Sequence, residues 1–250
     1  KVGDSNWKFG GLPIIYTDKE VSISERNDTI FLQCSDTILI STNGLQDWQK
    51  RPAIGLSNHS IKNCLFTPSG AIVALTNKGV FRAENIDSEF LPTEGFSSQN
   101  TLSVLNEGDE SWWVGTNNGL FYSKNNGLKW EKKFPNLANS NNEITWIKRS
   151  GNNILAGNLQ RFFYSPTHGD NWIEYAFPSI DINYDISIVG NKLFYGNSGG
   201  SFVSEDWGAT WSAFSPRKDG SPLIVRSIAE KDSLIAIAGY WSDVYLSRDY

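Results

Sequence analysis

Along the whole chain, short runs rich in Val, Ile, Phe, Tyr and Trp alternate with clusters of Asn, Gly, Ser and Asp. The stretch from Thr101 to Lys124 shows the unit: TLSVLN, then EGDE, then SWWVGT, then NNG, then LFYSK. Such runs between turn formers predict strands, and none of these units sustains a helical period. The one passage with helical character, LIVRSIAEKDSLIAIAG (223–239), aligns with EITWIKRSGNNILAGN (143–158), whose Gly-Asn-Asn marks a turn. Both are read as paired strands. Runs such as AIVAL and LIAIA are apolar without alternation, which predicts strands covered on both faces.

The pattern repeats. TILISTNGLQDW (37–48), GVFRAENIDSEF (79–90), GLFYSKNNGLKW (119–130), RFFYSPTHGDNW (161–172) and GSFVSEDWGATW (200–211) align, and DVYLSRDY (243–250) is a sixth copy that stops halfway. The closing aromatics Trp48, Phe90, Trp130, Trp172 and Trp211 are 42, 40, 42 and 39 residues apart, and Trp7 precedes Trp48 by 41. A period near 40 built of several short strands predicts propeller blades. The expected fold is all-β: one domain over 1–250, a six-bladed β-propeller of four-stranded blades. GDSNWKF near the N-terminus has the residues missing from the sixth unit, so the N-terminal strand is expected to close the ring and leave no unpaired edge. The alternative is a fragment of a seven-bladed parent.

Within the units, the pattern Ser-x-Asp-x-Gly-x-Thr-Trp is matched at every named position by Ser204, Asp206, Gly208, Thr210 and Trp211. Weaker copies hold Ser123, Asn125, Gly127 and Trp130; Ser165, Thr167, Gly169 and Trp172; Ser41, Asn43 and Trp48; Asn85 and Phe90; and Ser247 and Asp249. The pattern resembles the Asp box, or BNR repeat, of propellers such as sialidases, photosystem II assembly factors and sortilin-like receptors. The resemblance implies that these residues are structural and sit away from the ligand face. Physically, the Asp or Asn side chain satisfies turn amides, Gly takes a left-handed conformation, and the aromatic fills the space between sheets.

Composition narrows the function. A formal net charge of −5 repels nucleic acid and anionic lipid. No apolar run is long enough to span a membrane as a helix, so direct membrane insertion is not expected. The chain begins Lys-Val and contains no Met; the expectation is a cleaved secretory signal and a secreted or cell-surface protein. Cys34 and Cys64 form one disulfide if adjacent, or remain two buried thiols.

Catalytic signals are sparse. GNSGG (196–200) fits a nucleophile elbow in spelling, but it joins two expected strands instead of a strand and a helix. Two histidines, His59 and His168, leave too little material for a triad or a zinc site. NEGDE (106–110) reads as a solvated acidic turn, with Ca²⁺ binding the less favoured reading. Resemblance to sialidases implies three arginines clamping a carboxylate, a Tyr–Glu nucleophile pair and an acid Asp, with the first arginine in an early Phe-Arg-Ile-Pro. Here Arg51, in KRPAIG, follows the first box and lacks the Phe, and Arg161 and Arg226 fall in no recognisable motif.

No cofactor, metal or catalytic residue is therefore expected. The expected function is non-catalytic binding of a protein or carbohydrate, as a monomer or as part of a surface assembly; a sialidase-like glycoside hydrolase is the alternative. Propellers bind through the loops joining second and third strands and those linking blades. These loops nominate Asn117, Asn158, Arg161, Tyr184, Asn197, Tyr240 and Trp241 as ligand-binding residues. Amides beside aromatic plates suit sugars or a peptide, whereas the bland reading has the asparagines serving β-turns.

Overall fold

The β-branched and aromatic runs fold as antiparallel strands joined by tight turns, and no helix occurs among the described residues. The computed structural model describes residues 21–26, 29–34, 37–43, 47–96, 99–108, 110–133, 142–179, 183–215, 223–231, 234–239 and 244–248. Trp7, Tyr240, Trp241 and Asp249, and the side chains of Cys34 and Tyr184, lie outside the described residues. The chain divides into two compact units, 1–132 and 133–250.

Among the described residues the first unit has three four-stranded sheets, each in chain order. They are Val21–Arg26 (β1), Thr29–Cys34 (β2), Thr37–Ser41 (β3) and Gln49–Pro52 (β4); then Ile61–Phe66 (β5), Ile72–Thr76 (β6), Gly79–Ala83 (β7) and Leu91–Pro92 (β8); then Thr101–Asn106 (β9), Trp112–Thr116 (β10), Gly119–Ser123 (β11) and Glu131–Lys132 (β12). The second unit repeats the plan. Its sheets are Trp146–Ser150 (β13), Asn153–Gly157 (β14), Arg161–Ser165 (β15) and Ile173–Ala176 (β16); then Asn183–Val189 (β17), Lys192–Asn197 (β18), Gly200–Ser204 (β19) and Ser212–Ala213 (β20); and a three-stranded sheet of Val225–Lys231 (β21), Leu234–Gly239 (β22) and Val244–Ser247 (β23).

The core lies between sheets. β6 is buried along its length, and its alternate residues enter different clusters: Ile72 and Ala74 join Ile38 and Ile40, while Val73 and Leu75 join Trp112 and Val114. This explains why AIVAL is apolar without alternation: both faces are inside. Each such large side chain contributes about 1.5–3 kcal/mol by leaving water. Three of the closing aromatics fill the same seams. Phe90 lies in the cluster joining the first and second sheets, Trp130 in that joining the second and third, and Trp211 against Phe162 and Tyr195 in the second unit.

The turns that deliver those aromatics share one geometry. Ser123 Oγ accepts the Gly127 amide at 3.0 Å and donates to Asn125 Oδ1 at 3.0 Å, which in turn accepts the Lys129 amide at 3.0 Å. Ser204 and Asp206 repeat the arrangement with the Gly208 and Thr210 amides, both at 2.8 Å. In the copy without an Asp or Asn, Ser165 accepts Gly169 at 2.7 Å and the Thr167 hydroxyl accepts Asn171 at 2.9 Å. In the first sheet Asn43 Oδ1 accepts the Asp47 amide at 3.0 Å and the Ser41 hydroxyl at 3.2 Å. Trp130 and Trp172 donate their indole N–H to the carbonyls of Gly127 and Gly169 at 3.1 and 3.0 Å. An oxygen acceptor at the third place suffices, so Thr replaces Asp without loss of the turn.

Candidate functional site

Asparagine recurs in the hairpins joining second to third strands because each turn must satisfy amides that no ladder reaches. Asn77 Oδ1 accepts the Ser60 amide at 2.8 Å, and Asn117 Oδ1 accepts the Asn100 amide at 3.0 Å. Both tie the hairpin to the chain entering the first strand of the same sheet. Asn158 is 4% exposed; its oxygen accepts the Gln160 and Arg161 amides at 2.8 and 3.2 Å, and its NH₂ donates to the Glu143 carbonyl at 3.1 Å. Asn197 is fully buried, accepts the Gly199 amide at 2.8 Å and donates to the Tyr195 hydroxyl at 3.3 Å. Hairpins and first-strand entries therefore share one end of these sheets.

At that end the first strand is bulged. Ile61 pairs with Thr76 and Asn63 with Leu75, leaving Lys62 extra; Leu102, residue 184 and Arg226 occupy the same place in three further sheets. In β13 the equivalent is Trp146, which shares Gly157 with the Thr145 amide at 2.8 Å. A bulge puts two residues opposite one and re-aims side chains at the strand entry.

In the second unit this end holds a cavity of about 200 Å³ between the sheets that begin with β13 and β17. Trp146, Phe177 and Tyr195 give it three rings, the last two stacked with centroids 4.6 Å apart. Ile186 is buried below, and Leu159, 70% exposed, stands at the mouth on the β14–β15 hairpin beside Asn158. Lys148 of β13 and Asp185 of β17 also line it, Nζ 3.5 Å from Oδ1. Asp185 Oδ2 accepts the Ile228 amide of β21 at 2.9 Å, so this carboxylate joins three successive inner strands. The first unit has a comparable hollow of about 210 Å³ at the same place in the repeat, with Lys62 and Leu102 in its wall but no aromatic ring.

Of the nominated residues, Asn158 lines the cavity and Asn197 lies behind Tyr195. Asn117 is exposed in the first unit. The Arg161 guanidinium reaches Glu174 on β16 at 2.9 Å and lies 5.9 Å from the Phe163 ring centre. Other arginines are likewise engaged locally: Arg51 with Asp87 at 3.3 Å, Arg82 with Glu84, and Arg149 with the Gly151 carbonyl at 2.7 Å. Sequence reasoning missed Trp146, Lys148, Phe177 and Asp185. A Trp at the position equivalent to Lys62 and Leu102 was the available signal. GNSGG is the β18–β19 hairpin, and among the described residues no cluster of His, Cys, Asp and Glu is placed to hold a metal ion.

No protein-family profile and no curated protein matches the chain. Solved structures do. YCF48 from Cyanidioschyzon merolae superposes with a TM-score of 0.62 at 14% identity, over 92% of this chain and 81% of that one. YCF48 bound to D1 peptide gives 0.63 at 15%, over 94% and 80%. The extracellular domain of the putative one component system BT4673 from B. thetaiotaomicron gives 0.61 at 12%, over 96% of this chain and 34% of that one. These likenesses show an all-β, propeller-type fold.

Proposed function

We propose that the chain is a non-catalytic binding propeller that engages a protein or a glycan through the hairpin end of its sheets. The observation that carries this reading is the cavity walled by Trp146, Phe177 and Tyr195 beside the Lys148–Asp185 pair, at the end where hairpins and bulged first strands meet. Rings offer large contact area at low entropic cost. One of the solved relatives, YCF48, is bound to a peptide. Engagement of Arg51, Arg82, Arg149 and Arg161 by local partners favours binding over a sialidase-like hydrolase.

On this reading residues 1–250 form one six-bladed domain of Asp-box repeats. The six sheets and the recurring Ser–Asp/Asn turns support it. Val244 and Leu246 of β23 are 65% and 66% exposed, whereas no residue of the third strands β3, β7, β11, β15 and β19 is exposed. That edge suits a fourth strand from the N-terminal segment containing Trp7. Export to the cell surface or medium accords with the extracellular domain among the relatives. A peptide array and a glycan array, run beside a sialidase assay, test the function. Saturable binding without hydrolysis is expected; sialic acid release by the purified chain would overturn the reading.

A further inference from the structure

The polar groups at the aromatic cavity are already engaged by the chain itself. Trp146 Nε1 donates to the Asn158 carbonyl at 3.2 Å, and the Asn158 amide is bonded on both its oxygen and its nitrogen. The Tyr195 hydroxyl accepts from Asn197 at 3.3 Å. Asp185 accepts the Ile228 amide at 2.9 Å. What faces an entering group is ring surface, Ile186 and the exposed Leu159, with one cation at the edge. That cation, Lys148, has three donors, and its ion-pair partner Asp185 stands 3.5 Å away, beyond a good hydrogen bond.

Size and chemistry point the same way. The cavity, about 200 Å³, is smaller than the ~300–1,000 Å³ pockets that enclose whole small molecules, and is on the scale of one large side chain. A sugar presents hydroxyls on every edge and loses their hydration unless the site returns directional bonds; a wall whose amide and hydroxyl groups are engaged returns few. An apolar side chain loses nothing there, and burying a Phe or Leu contributes about 1.5–3 kcal/mol.

Building on the binding reading above, we propose that the cavity takes one aromatic or leucine-sized side chain of an extended protein segment, whose adjacent carbonyl or carboxylate accepts from Lys148 Nζ. The occupant is thus a peptide, not a glycan, and Leu159 closes over its anchor side chain.

The test uses the full chain against an immobilised hexapeptide array and a glycan array, with Leu159→Asp and Lys148→Met as variants. Leu159 is exposed, so the aspartate sits in water in the free protein and confronts only the bound anchor; circular dichroism verifies the fold. Enriched peptides should carry a Phe, Tyr, Trp or Leu at one fixed position. Leu159→Asp should weaken the best peptide by tenfold or more, and Lys148→Met by a smaller factor with a flatter salt dependence. A glycan hit that Leu159→Asp abolishes, or peptide binding that ignores both variants, overturns the proposal and leaves a binding propeller standing. Failure of the wild-type chain to bind either array overturns both.

Discussion

The Asp185 carboxylate accepts the Ile228 amide at 2.9 Å across two sheets, while its other oxygen lies 3.5 Å from the Lys148 ammonium of a third. One partly buried charge thereby fixes the spacing of β13, β17 and β21, and with it the walls of the cavity. Asp185→Ala should cost about 2 kcal/mol, because an inter-sheet amide loses a charged acceptor. Asp185→Asn, which retains an acceptor oxygen, should cost about half as much. Urea unfolding of the two variants checks the order.

Gly208 and Gly127 occupy the same turn position with φ of +100° and +74°. A Cβ on Gly208 would stand 2.3 Å from the Phe162 ring, whereas on Gly127 it would meet a Val73 methyl at 3.1 Å. Both alanine variants should lose about 1–3 kcal/mol to backbone strain, and Gly208→Ala should lose more through the displaced ring. Equal thermal midpoints for the two would show that the Phe162 contact yields without cost.

The Thr210 hydroxyl and amide hold the Asp206 carboxyl below its ordinary range, joined by the Ser204 hydroxyl. A depressed folded-state value means that the stabilisation is present above the unfolded value of about 4 and is lost as pH falls through the folded one. Between pH 5 and pH 2 the melting temperature of the wild type should therefore fall more steeply than that of Asp206→Asn. Parallel curves would remove the charged acceptor from the account. Because the carboxylate is exposed, the difference should be small and should shrink in high salt.

Cys64 is 1% exposed, and burial pushes its thiol up to about 12. The thiol ionises near 9 in the unfolded chain, so the stabilisation that Cys64 contributes should be constant up to about that pH and be lost as pH rises toward 12. At pH 8, iodoacetamide should modify Cys64 in urea on the order of a hundredfold faster than in the native protein, read by peptide mass spectrometry. Equal rates would contradict the burial.

The strands and their turns were legible because they obey short-range rules. TLSVLN and SWWVGT became β9 and β10, and the passage 223–239 became the β21–β22 hairpin. Of the aromatics at a period near 40, Phe90, Trp130 and Trp211 lie in or beside the seams between sheets. The repeat places Asn117, Asn158 and Asn197 in hairpins and nominates them as ligand-binding, with turn service as the alternative, because a turn asparagine and a ligand-binding one look alike in sequence. The cavity was hidden for a different reason. Lys148 and Asp185 meet across sheets, and the bulges that re-aim the first strands shift the facing by one residue, which a period of two does not reveal.

On the proposed reading, ligand enters between Trp146, Phe177 and Tyr195. The most direct measurement is the indole N–H resonance of Trp146, assigned by its loss in Trp146→Phe, followed while the best array-selected peptide is added to the labelled chain. The resonance should move saturably, with the same dissociation constant as calorimetry gives. A peptide that saturates the protein while that signal stays fixed would place binding elsewhere and contradict entry at Trp146.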